Sequence, residues 1–251
     1  MSELLGALSL AELSRYLIAV VFAASMMQSI TGIGFGVIAG PVLLVSMGGA
    51  EAIQVSIVLS LLIAVILAPN TIPKVKWSLL RPLLIGVLFG TPIGAAAYAT
   101  LSLDALKIIA AFVVAFMTLV ASGLLTRHPI FEEDTRKRRV GIGMVCGALN
   151  ATLAMPGPPV AAYATAIKSD KQIIRATTLV TFLFAYPVAL LLQGATTGFS
   201  GALFSVALPL AIPTVLGTIT GMLVSPLFSQ QVFKWVTVGF LIASVVALVV
   251  G

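Results

Sequence analysis

Residues 25–116 and 146–243 read as two copies of one hydrophobic module. Gly90-Thr91-Pro92-Ile93-Gly94 in the first copy answers Gly217-Thr218-Ile219-Thr220-Gly221 in the second. Ile53-Gln54-Val55-Ser56 answers Ile174-Arg175-Ala176-Thr177, and in the same register Thr31 falls on Thr152 and Gly36 on Gly157. A repeat of half the chain constrains the fold more than any single segment, because each element must find its place twice.

The solvent of that fold is lipid. Sixty per cent of the residues are hydrophobic and 9% are charged, against about a quarter charged in a soluble domain. Backbone polar groups in a bilayer are satisfied only by helices or a closed barrel. The apolar runs lack the period-two alternation of barrel strands, so helices are expected. The runs are 14–31, 33–47, 52–69, 79–100 and 104–125, then 138–154, 157–168, 173–192, 200–225 and 231–250. Five crossings per copy is an odd number, so the copies must enter the membrane upside down relative to each other. The expected fold is an all-α polytopic membrane protein of two inverted repeats of five transmembrane segments, with short or broken helices 2 and 7. The expected division is a first repeat over 1–125, a basic cytoplasmic linker over 126–139 and a second repeat over 140–251.

Charge sets the orientation. With both termini outside, twelve of the fourteen Lys and Arg fall in inside loops, leaving Arg15 and Lys107 outside. Cytoplasmic loops carry this excess. If segments 2 and 7 failed to cross, Lys168, Lys171 and Arg175 would move outside, which the same rule disfavours. The basic balance therefore reports topology, and no nucleic acid partner is expected. Glu3 and Glu12 precede Arg15, unlike the basic start of a cleaved signal peptide. Cys146 is the single cysteine and His128, the single histidine, lies in a polar stretch. A disulfide, a haem or multi-histidine metal site and a Ser/His dyad are all disfavoured. No cofactor, metal or catalytic residue is expected, and membrane lipids are the surrounding partners. A homodimer is compatible with the sequence, which shows no decisive interface.

Segment 2 offers about 15 residues, or about 22 Å of helix against a roughly 30 Å hydrocarbon core. Segment 7 is shorter. Each is reached through a dip of the chain. The first is Gln28-Ser29-Ile30-Thr31-Gly32-Ile33-Gly34-Phe35-Gly36, and the second runs from Asn150 and Thr152 through Met155, Pro156 and Gly157 to Pro159. Clustered glycine or proline breaks a helix, and breaks at corresponding places of two repeats point to a transport site. A helix starting inside the membrane aims free N–H groups and its positive dipole end at the interior, which suits an anion. Gly34, Gly36 and Gly157 allow an oxyanion to approach the backbone. Gln28, Thr31, Asn150 and Thr152 add side-chain donors. The competing role of these glycines is close helix packing.

These residues resemble the sulfite/sulfonate exporter family TauE/SafE, also called the toluene sulfonate uptake permease family. The resemblance spans nearly the whole chain. It rests on Thr31-Gly32-Ile33-Gly34-Phe35-Gly36, on Pro156-Gly157-Pro158-Pro159 and on Arg175-Ala176-Thr177 opening the next segment. It implies transport of a small anion, sulfite or an organosulfonate, across a bacterial or archaeal cytoplasmic (inner) membrane, and no enzymatic activity. Relatives often carry a Gly-Gly pair where this chain reads Met155-Pro156-Gly157, so the local geometry here differs.

Other residues have two readings. Arg175, matched by Gln54, either clamps an anion or anchors topology by reaching for the interface. Ser56, Ser60, Thr177 and Thr181 form a matched hydroxyl stripe that either lines a pathway or bonds neighbouring carbonyls. No Asp or Glu lies in mid-segment, which disfavours carboxylate-based proton coupling. The expected mechanism is alternating access at a midplane site between the repeats. An anion channel of the same fold and a carrier of a small carboxylate are the alternatives.

Overall fold

The computed structural model describes residues 10–32, 35–122, 134–167 and 169–225, together with 235, 238, 239, 242 and 246. Gly34, His128, Lys168 and most of the tenth expected segment lie outside the described residues. The described chain contains nine α-helices and no strand. In order they are α1 (Leu10–Thr31), α2 (Phe35–Met47), α3 (Glu51–Thr71), α4 (Trp77–Thr100), α5 (Leu103–Ser122), α6 (Arg136–Leu153), α7 (Gly157–Ala166), α8 (Lys171–Thr197) and α9 (Gly201–Val224).

Five described stretches are long and apolar enough to cross a membrane: Glu51–Lys74, Trp77–Thr100, Leu103–Val120, Gln172–Thr197 and Leu203–Val224. The short second and seventh segments are helices of 13 and 10 residues, or about 20 and 15 Å long. Arg136–Arg139 open α6 instead of closing the linker. Cations at a helix start oppose its dipole, and here they are offset locally. Thr135 caps the Arg138 amide at 3.3 Å. Asp134 accepts two bonds from Arg139, at 2.7 and 2.5 Å.

Contacts between helices come in matched sets. The helix pairs α1–α9 and α4–α6 correspond when the halves are exchanged, as do α3–α9 with α4–α8, α1–α2 with α6–α7, and α2–α3 with α7–α8. The α3–α8 pair is its own counterpart. Glycine explains the closest two. A Cβ on Gly86, Gly90 or Gly94 would lie 2.0, 1.9 or 2.1 Å from the carbonyl oxygens of Val140, Met144 and Ala148. Gly143 and Gly147 face α4 in return, against Leu83 and Val87. On the other pair, Gly217 and Gly221 meet the backbone of Phe22 and Met26. The repeated Gly-x-x-x-Gly motif thus joins the fourth helix of each half to the first helix of the other, backbone against backbone.

The same register gives helix directions. α4 and α6 run parallel, as do α1 and α9. α8 joins that direction, since Leu80 clusters with Ala176 and Val180 while Leu83 and Val87 cluster with Ala185. Only α7 and its lead-in separate α6 from α8, so this stretch must carry the chain back. The Cys146 thiol donates to the Pro156 carbonyl at 3.1 Å, and the Tyr163 hydroxyl on α7 reaches Asp134, before α6, at 2.5 Å. α7 therefore descends along α6 toward its start. The main core lies between the halves, with Met27, Phe35, Ile57, Leu153, Met155 and Tyr186 among its members. Phe112, Leu191, Phe204, Leu208, Ile212 and Leu223 stay exposed on the periphery, where lipid would solvate them.

Candidate functional site

Both breaks end in left-handed backbone. α1 closes with Gly32 at φ 79°, and α6 closes with Ala154 at φ 58°, its one left-handed non-glycine counterpart among the described residues. Glycine adopts this region freely, whereas an L-residue is strained there by about 1–2 kcal/mol. Glycine's unfolded-state entropy costs back about 0.5–1 kcal/mol. Ala154→Gly is therefore expected to raise stability modestly, by about 0.5–1 kcal/mol, read as the midpoint of denaturant unfolding. A loss of stability would show that the Ala154 methyl packs favourably enough to outweigh the strain.

The breaks touch. Gly36, in the first turn of α2, packs so closely that a Cβ would sit 2.1 Å from the Ala154 carbonyl oxygen. One turn later a Cβ on Gly40 would have ordinary contacts, 3.5 Å to Met155 Cε and 3.9 Å to Ser56 Oγ. Phe35, Met155, Pro156 and Gly157 are buried here.

The start of α2 is partly capped. Gln28 Oε1 accepts the Phe35 N–H at 3.1 Å, leaving the Gln28 Nε2 buried without a partner. The start of α7 is a poorer donor than the sequence argument assumed for it, because Pro158 and Pro159 carry no N–H. In the last turn of α6, Asn150 Nδ2 donates to the Ala185 carbonyl at 2.8 Å, and its Oδ1 is buried and unpartnered. Ser56 Oγ on α3 and Thr177 Oγ1 on α8 are also buried and unpartnered. Ser56 and Thr177 are aligned across the repeat, and Gln28 and Asn150 fall within one position of alignment.

Other expected site residues bond to backbone. The Thr31 hydroxyl donates to Met27 O at 2.8 Å, and Thr152 to Ala148 O at 2.9 Å and Gly94 O at 3.1 Å. Such back-bonding is common for helical threonine. Gln54 Nε2 donates to Gly198 O at 3.1 Å, tying the start of α3 to the end of α8. Arg175 lies half-buried and donates from Nε at 3.1 Å, and also from Nη2, to the Ser29 carbonyl in the last turn of α1. Its Cγ lies 3.0 Å from where a Gly32 Cβ would be. Arg175 thus places a cation at the C-terminal, negative end of a helix of the other half.

Gln193 escaped the sequence argument. Its Nε2 donates to Ala151 O at 2.6 Å, and its Oε1 is unpartnered. The expected segment 8 stopped at 192, whereas α8 continues to Thr197. Arg175 and Gln193 therefore bond the last turns of both broken helices from the two ends of α8. Away from the site, the Arg139 guanidinium holds the Asp134 carboxyl below the usual carboxylate range, against a smaller opposing effect of burial.

The arrangement offers amide, hydroxyl and helix-start donors in a buried setting, and its described residues include no carboxylate among these groups. It can complete the hydrogen bonds of an acceptor-rich ligand. No curated protein and no solved structure matches the chain. Residues 17–248 match the family model described as Sulfite exporter TauE/SafE. Because that match takes in both halves, both breaks and the buried polar groups around them, the chain belongs to the sulfite exporter TauE/SafE family of membrane transporters.

Proposed function

We propose that this protein carries a small sulfur oxyanion, sulfite or an organosulfonate, across the cytoplasmic membrane by alternating access, at a site between the two breaks. The observation that carries this reading is the set of unpartnered buried atoms on Gln28, Ser56, Asn150 and Thr177, placed in corresponding parts of both halves. An unsatisfied buried polar group costs about 1–3 kcal/mol. A fold that keeps four in paired positions gains by having a ligand there. Donors from Gln28, Ser56, Thr177 and the first turn of α2 suit sulfonate oxygens, with Gly36 keeping the backbone accessible. Asn150 contributes an acceptor that suits a protonated or hydroxylated substrate. Thr31, Phe35, Gln54, Thr152, Met155, Pro156, Gly157 and Arg175 shape or brace this region, while Gly34, expected from the sequence to keep the backbone open to the anion, lies outside the described residues.

Inverted repeats of five crossings with both termini outside are the arrangement that supports such a carrier. The odd segment count, the charge distribution and the parallel course of α6 and α8 favour it. α2 and α7 are the elements whose rocking would expose the site to either side.

The test uses Ser56→Ala and Thr177→Val, alone and together. Each removes an unpartnered hydroxyl, so the free protein should be as stable as wild type or more stable. A hydrogen bond to a charged ligand contributes about 1.5–3 kcal/mol, so each change should weaken apparent affinity for sulfite or a sulfonate about tenfold or more. Proteoliposome uptake with a concentration series gives that affinity, and thermal unfolding gives the stability. Wild-type uptake kinetics in the double variant would sink the proposal.

A further inference from the structure

An apolar cavity of about 360 Å³ opens on the side of the molecule, at the seam of α5, α6 and α7. Phe112 and Phe116 form its wall on the first half; Ile142, Val145 and Leu149 line it from α6, and Pro158 and Pro159 from the start of α7. Its mouth faces outward, since Phe112 is 73% and Val145 49% exposed. Ile142, Val145 and Leu149 follow one another at helical spacing along one face of α6. One turn before Ile142 on that face stands Arg138, which is exposed. Arg136 falls instead on the face that carries Val140, Gly143 and Gly147 toward α4.

We infer that this groove binds one anionic phospholipid, with its phosphate at Arg138 and one acyl chain along Ile142, Val145 and Leu149. From Arg138 to Leu149 the helix rises about 16 Å, which matches most of an extended acyl chain in a half-bilayer of about 15 Å. A basic residue at headgroup level attracts anionic lipid, and the continuous apolar stripe below it gives the chain a lined path that bulk lipid lacks. The lipid would lie between the halves and against Pro158 and Pro159. It would therefore brace the second break, and its loss would loosen α7. This inference does not depend on which anion is transported.

The protein is reconstituted in nanodiscs of equal parts phosphatidylglycerol and phosphatidylcholine, released, and weighed by native mass spectrometry. Wild type should retain one phosphatidylglycerol in preference to phosphatidylcholine. One basic residue at the surface accounts for about a fivefold change in lipid affinity. Arg138→Gln should therefore lower retention about fivefold, while Arg136→Gln leaves it unchanged. Ala162→Phe, which fills the groove from α7, should abolish retention with the headgroup cation intact. Thermal unfolding with added phosphatidylglycerol or inorganic phosphate separates lipid from free anion, and only the lipid should stabilise. Equal retention of both lipids, equal losses in the two arginine variants, or an equal shift with inorganic phosphate would each overturn the assignment. So would a lipid-free dimer that covers the groove.

Discussion

Gly36→Ala is expected to reduce transport at least about 100-fold while Gly40→Ala leaves it near wild type. The two residues lie one turn apart on the same face of α2 and differ only in what a methyl would meet. At Gly36 the new Cβ would sit 2.1 Å from the Ala154 carbonyl oxygen, and backbone cannot rotate aside as a side chain can. Relief requires about 1 Å of separation between α2 and the second break. A displacement of that size within a binding constellation is enough for a loss of about 100-fold. At Gly40 the nearest atoms are 3.5 and 3.9 Å away, on Met155 and Ser56, and the helix gains the better propensity of alanine. Proteoliposome uptake of the anion that saturates binding measures the effect, and circular dichroism confirms that both variants remain helical. Comparable activity in the two variants would show that contact between the breaks is not required.

Gly90→Leu is expected to destabilise the whole protein, by about 3 kcal/mol or more, before any question of transport arises. A Cβ there would lie 1.9 Å from the Met144 carbonyl, in the middle of the α4–α6 pair. The stripe of Gly86, Gly90, Gly94, Gly143 and Gly147 lets two backbones meet, so a side chain at its centre separates the helices along their length. Gly217→Leu should act similarly on α1–α9, where a Cβ would lie 2.3 Å from the Phe22 carbonyl. Gly141→Ala is the contrasting change: it is also in α6, nothing lies within 4 Å of its added methyl, and it should stabilise by up to about 1 kcal/mol. Thermal unfolding in detergent, followed by size-exclusion chromatography, orders the three. A Gly90→Leu protein that unfolds with wild type would refute close backbone packing on this pair.

The two glycine sets illustrate how far composition and spacing can be read. In the chain, Gly36 and Gly90 both fall in stretches matched across the repeat, and for the break glycines both anion binding and close packing fit the sequence. The structure separates them by neighbour. Gly90 meets a continuous helix of the other half, whereas Gly36 meets the carbonyl at the end of a broken one. Thr31 and Thr152 show the same limit from the other side. The sequence offers Thr31 and Thr152 as donors and leaves Ser56 and Thr177 between lining a pathway and bonding carbonyls, yet the former bond to carbonyls and the latter are buried without partners. Whether a hydroxyl turns back on its own helix depends on rotamer and local crowding, which spacing does not encode.

The membrane class, the helical fold and the places of both breaks were legible in the amino acids alone. Lipid leaves a backbone few ways to satisfy its polar groups, so hydropathy, glycine and proline act locally and strongly. The pairing of each fourth helix with the opposite first helix, the contact between the breaks, and the bonds from Arg175 and Gln193 to opposite helix ends came only from the tertiary structure. These depend on which carbonyl lies within about 3 Å of which side chain. Residues as distant as Ser29 and Arg175 reach that range only once both halves have packed, and no local pattern specifies it.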